Sequence, residues 1–191
     1  MSAVSNLRCL LFLAAAAAVA DTVAPLAEGA EKRQLNIVAQ RSFVDDWPIT
    51  FANAADKPAD VLVIGKWDNA YPLVIRSARE LAAFSPEARN TQQAAADKDN
   101  ANLQADAEQR LLTSLGLAEI DWEKQMVVAV LSERGYRRPP RWQFVSLTAD
   151  TEALVVQVRS SDGVFGCGSP CAIAVVERFD GKVEFRGEST P

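Results

Sequence analysis

The chain has 191 residues, a formal net charge of −5 and no histidine, a length that suits one domain with or without a leader. The missing imidazole excludes Ser-His-Asp and Cys-His catalysis and the common histidine-containing zinc sites. The acidic balance argues against a general nucleic-acid footprint, which is basic.

Residues 1–20 have the order of a secretory signal peptide. Arg8 supplies the positive n-region, Cys9–Ala20 the apolar core, and Ala18-Val19-Ala20 a small-x-small cleavage site before Asp21. The apolar run is too short to span a bilayer. The reading therefore predicts an exported protein, periplasmic or secreted, with no stable membrane insertion after cleavage. Cleavage removes one basic residue, Arg8, and leaves 19 basic against 25 acidic groups, a net charge of −6. Cys9 leaves with the leader, so two cysteines remain.

Residues 21–35 are polar and alanine-rich without a clean period, and are expected to form a flexible segment. A single α+β domain is expected over 36–191. Its first strands are read at NIVAQRSFV (36–44), VLVIGK (61–66) and LVI (73–75), rich in β-branched residues. Pro48 and Pro58 make the stretch between the first two a loop or an edge.

Ser77-Ala78-Arg79-Glu80 is a capping box, which predicts a short helix with Leu81 and Phe84 on one side, limited by Pro86. Residues 87–102 are biased toward Ala, Asn, Gln and Asp and are expected to be an exposed insertion. Asp97, Asp99 and Glu108 match positions 1, 3 and 12 of a calcium-binding EF-hand loop. Ala101 at position 5 and Asn102 in place of the turn glycine break the motif. Leu103, Ala107, Leu111, Leu112 and Leu115 then recur at helical spacing, with Gly116 at the C-cap.

From here the period changes to two. QMVVAVLSE (125–133), RWQFVSLT (141–148), ALVVQVRS (153–160), AIAVVERF (172–179) and KVEFR (182–186) read as five strands. Asp180-Gly181 suits a type I′ hairpin between the last two, and short connections imply antiparallel pairing. The expected fold class is α+β: an antiparallel sheet of about five or more strands with two helices packed on one face.

Two stretches concentrate chemistry. In VFGCGSPCAI (164–173), Cys167 and Cys171 stand three residues apart. Thioredoxin-type redox pairs use C-x-x-C at a helix N-terminus, whereas this spacing is longer and a strand follows. The C-x-x-x-C spacing is similar to that of the Sco copper chaperones, which also need a histidine, so a two-thiolate copper site is under-ligated here. A local disulfide is the preferred reading, worth roughly 2 kcal/mol by loop entropy. No metal or other cofactor is expected.

The second stretch, ERGYRRPPRWQF (133–144), holds Arg134, Arg137, Arg138 and Arg141, with Tyr136 and Trp142 interleaved. Arginine with aromatic side chains is the composition of protein interface hot spots, and arginine also suits anionic groups. These six residues are the candidate contacts for a partner protein.

VIRSARELAAF, GLAEIDWEKQMVVAVLSERGYRRPPRWQFVSL, ALVVQVRS and PCAIAVVERFDGKVEF together resemble the PrcB C-terminal domain family over roughly residues 73–186. The resemblance rests on a capped helix, an acidic-aromatic phrase before a long apolar strand, a glycine-containing loop, an alternating strand and a final hairpin. It implies an exported, non-catalytic binding or accessory domain and does not imply that this protein serves a protease; the expected setting is a cell-envelope protein complex, of which a protease complex is one example. It implies a protein partner in the envelope and supplies no catalytic motif, so no enzyme activity is expected; the acidic charge balance is the reason that no nucleic-acid partner is expected. The alternative left open by the residues is a periplasmic thiol-redox or copper-handling protein using the cysteine pair.

Overall fold

Two sheets and a helical layer stack in three tiers, and the middle tier accounts for the longest apolar runs in the sequence. The structure is a computed structural model. It describes residues 32–45, 47–49, 61–64, 70–85, 101–132, 139, 141–161 and 168–189. The elements are β1 (Arg33–Gln34), β2 (Ile37–Val44), β3 (Val61–Ile64), β4 (Ala70–Ile75), α1 (Ala78–Ala83), α2 (Ala101–Leu115), β5 (Gln125–Ser132), β6 (Arg141–Ala149), β7 (Ala153–Ser161), β8 (Pro170–Glu177) and β9 (Lys182–Ser189).

The middle sheet has the order β2-β8-β5-β4 and is antiparallel throughout. Met126, Val128, Val130, Ala172, Ala174 and Val176 face the outer sheet, where they meet Phe144, Leu147, Leu154, Val156 and Phe185. The alternate residues Val127, Ala129, Leu131, Ile173 and Val175 face the helices and meet Leu81, Leu111 and Leu112. With both faces buried, β5 and β8 have no polar face to alternate with, so they read as continuous apolar runs. β7 buries one face only, and Leu154, Val156 and Val158 alternate with more exposed neighbours. Pro72 lies in β4, the edge strand opposite β2, where a missing N–H can be tolerated.

The fold class is α+β, but the strands form two sheets rather than one. The outer sheet, β1-β6-β7-β9-β3, is mixed: β9 runs parallel to both β7 and β3. Only β6 and β7 form a hairpin in the C-terminal block. The other connections cross between sheets, so β7 runs one way, β8 returns in the middle sheet, and β9 repeats the direction of β7 beside it. The type I′ hairpin expected at Asp180-Gly181 is replaced by such a crossing. A type I′ turn needs positive φ at both central residues, and among the described residues only Asp45 and Gly116 have it. Gly181 serves close packing instead: a Cβ there would stand 2.7 Å from the Phe179 ring.

Ordered structure starts before Asn36, inside the stretch expected to be flexible. Arg33 and Gln34 pair with Ala149 and Thr148, and Leu35 is 2% exposed in the core between the sheets. One leucine can fix a polar segment because its burial is worth roughly 1.5–3 kcal/mol.

The helices begin and end where capping chemistry dictates. Ser77 Oγ accepts from Glu80 N at 3.1 Å, and Glu80 Oε2 accepts from Arg76 N at 2.6 Å, one residue earlier than the usual return bond of a capping box. α2 starts at Ala101, so the last two residues of the expected insertion are helical; residues 86–100 lie outside the described residues. It ends at Gly116, with φ 71°, and Leu117 N donates to Leu112 O at 3.0 Å, the Schellman arrangement. Among the described residues, no helix is long and apolar enough to cross a membrane.

Two arginines that no motif singled out tie the layers at the β8–β9 end. Arg76 donates to Phe179 O at 3.1 Å and Gly181 O at 2.9 Å. Arg178 donates to Arg76 O and Trp122 O and pairs with Asp180 at 2.7 Å. Trp122 Nε1 donates to Glu108 Oε1 at 2.8 Å, joining the turn before β5 to α2.

Candidate functional site

Strand register brings the two chemically conspicuous stretches to one end of the sandwich. Arg141, opening β6, is the register partner of Ser161, closing β7. Leu131 near the end of β5 pairs with Cys171 near the start of β8, and Val44 at the end of β2 pairs with Pro170. The connections that carry the arginine-rich and cysteine-containing stretches, 133–140 and 162–169, therefore join strands at the same end. The sequence separates them by two whole strands.

Of the six candidate contacts, Arg134, Tyr136, Arg137 and Arg138 lie outside the described residues. Arg141 is exposed at the first position of β6. Trp142 points the other way: it is 7% exposed and belongs to the core between the sheets. Adjacent residues of a strand face opposite sides, so one member of this Arg-Trp pair had to turn inward.

Beside Arg141 a cleft of about 640 Å³ opens between β2 and β6. Gln40, Ser42 and Val44 line one side, and Arg141, Gln143 and Ser161 the other. The walls are linked by side chains of β2. Ser42 Oγ donates to Trp142 O, and Gln40 Oε1 accepts from Phe144 N at 3.1 Å. Ser161 Oγ donates to Arg141 O at 3.4 Å. Sequence reasoning missed Gln40, Ser42, Gln143 and Ser161, because their neighbours lie far away in the chain. One signal was available: Gln40-Arg41-Ser42 is a polar run inside a strand, which breaks alternation and marks an edge. Arg41 is engaged elsewhere, donating to Ser114 O at the end of α2 at 2.9 Å and lying over the Phe43 ring at 5.5 Å.

Cys171 is a free thiol, 1% exposed on the helix side of β8. Burial pushes its pKa well above the ordinary thiol value. The thiolate is the nucleophile and the metal ligand, and this environment keeps the proton on. Because Cys171 is unbridged, the expected Cys167–Cys171 disulfide is not formed in this structure; Cys167 itself lies outside the described residues. The segment between Cys171 and Cys167 is held by hydrogen bonds. Asp45 Oδ1 accepts from Ser169 N at 3.0 Å, Asp45 N donates to Ser169 O at 3.2 Å, and Trp47 Nε1 donates to the same carbonyl at 2.9 Å. Asp45 does this from φ 59°, a left-handed conformation that Asp tolerates better than most residues.

Of the three acidic positions of the broken calcium motif, Glu108 lies on α2 and accepts from Trp122 Nε1, while Asp97 and Asp99 lie outside the described residues. Among the described residues, no three His, Cys, Asp or Glu side chains gather as metal ligands. Comparison with protein-family models, curated proteins and solved structures finds no match for this chain.

Proposed function

We propose that this chain is an exported, non-catalytic binding or accessory domain. It engages a protein partner of the cell envelope through the end of the sandwich where β6 begins. This is the role implied by the resemblance to the PrcB C-terminal domain family. The observation that carries the reading is the convergence at that end: the arginine-rich connection delivers Arg141 to the rim of an open cleft beside a rigid two-sheet core. Connections held at the end of a rigid sandwich are where such folds place their contacts. Arginine can anchor them by forked hydrogen bonds to carboxylates or other anions.

The test is retention of a partner from cell-envelope extract by immobilised protein. Arg137→Glu combined with Arg138→Glu abolishes retention while the thermal unfolding midpoint stays unchanged. Undiminished retention by the double variant would remove the arginine-rich stretch from the interface.

A further inference from the structure

We propose that the seam between β2 and β6 docks an extended, acidic peptide segment of a protein partner, added along the open edge of β2 with a carboxylate on Arg141. The inference rests on the partner-binding reading above and names the chemistry of the partner.

Three observations point to this seam. First, β2 is the last strand of the middle sheet, and no described strand pairs with its outer side. The neighbouring edge of β6 is already occupied: Ser42 bonds Trp142 O, Gln40 bonds Phe144 N, and Leu35 N donates to Leu147 O at 2.8 Å. The edge left for an incoming strand is that of β2, and edge addition is a common way to bind an extended peptide.

Second, the three large exposed apolar side chains among the described residues are Val38 at 48%, Val44 at 45% and Val145 at 41%. Two lie on β2 and one on β6. Of these, Val44 lines the cleft itself, and it offers an apolar contact to a strand laid along β2.

Third, the charges are of one sign. The charged residues lining the cleft are Arg41 and Arg141, with no carboxylate. Arg41 is committed to Ser114 O. Arg141 has no ion-pair partner among the described residues. The carbonyl of Gln40 is used by Phe144 N, which leaves its amide N–H groups facing the cleft as donors, with those of Gln143 nearby. A donor-rich cationic seam in a protein of net charge −5 selects a ligand that brings acceptors and negative charge.

The test is fluorescence anisotropy of the full chain with a labelled peptide of alternating Glu and Val, compared with its Lys-Val counterpart. The expected result is salt-sensitive binding of the acidic peptide alone. Arg141→Glu and Arg141→Gln weaken it by about tenfold or more, and N-methylation of alternate peptide amides abolishes it. Equal binding of the two peptides, or no effect of either Arg141 variant, would overturn the proposal. So would a self-associated dimer that the peptide disperses, because a second copy would then be the occupant. An envelope partner still retained by Arg141→Glu, and not displaced by the acidic peptide, would overturn the seam and leave the partner-binding reading standing.

Discussion

Gly168 shows how closely two chain segments are pressed together beside the candidate site. A Cβ at this position would stand 2.4 Å from Val44 Cγ1 and 2.7 Å from Asp45 Oδ2. Both atoms belong to side chains already in use: Asp45 grips the next peptide unit, and Val44 borders the cleft. Gly168→Ala is therefore expected to destabilise the protein by about 1–3 kcal/mol, as overpacking does, in equilibrium denaturation. An unchanged midpoint would mean that the clamp yields at no cost. The same neighbourhood explains what the cysteine pair concealed. Its spacing invited a redox, copper or disulfide reading. The contacts that hold Ser169 come from Asp45 and Trp47, more than a hundred positions earlier in the chain, where spacing says nothing. Trp142 teaches a similar lesson. Its place among arginines suggested a contact residue, while its strand parity with Phe144 was the stronger signal and put both rings in the core.

The single hairpin of the C-terminal block is closed by Asp150. Its Oδ1 accepts from Glu152 N and Ala153 N, each at 2.8 Å. These backbone bonds, that from Ala153 first, hold its carboxyl below the ordinary value of 3.8. Because the folded pKa is the lower one, the turn's contribution is present at neutral pH and is lost as pH falls below the ordinary value and through the folded one. Asp150→Asn should thus unfold at a lower temperature than the native chain at pH 7, with the gap narrowing below about pH 4. A constant gap across that range would show that the carboxylate plays no special part. Individual elements such as this one were largely legible. The capped α1, the leucine stripe and Gly116 stop of α2, and all five C-terminal strands follow from local propensity and period, which act over a few residues. Connections were less legible. Asp180-Gly181 has the composition of a hairpin turn, yet the chain crosses between sheets there, because Val176 and Val183 reach the same core from opposite sides.

Across the whole molecule, the arrangement of sheets decides what meets what. Neither the stacking of two sheets nor the parallel β7–β9 pair could be read from the chain, since both depend on contacts between distant strands. Their consequence is the site itself. β2 of the middle sheet is laid beside β6 of the outer sheet, and Gln40 and Ser42 close the edge of β6 while leaving their own strand open. At the opposite end, Arg76 and Arg178 bind backbone carbonyls and tie the layers, so arginines at the two ends of one sandwich have different tasks. Arg76 and Arg178 are held by fixed acceptors, and Arg141 is presented to solvent at the rim of the cleft. The claim that the partner docks at the Arg141 end is tested most directly by hydrogen–deuterium exchange of the full chain with and without its retained envelope partner. The account predicts added protection in residues 38–44 and 141–145, with the segment around Arg178 unchanged. Protection centred on Arg76 and Arg178, with residues 38–44 exchanging as in the free protein, would contradict it.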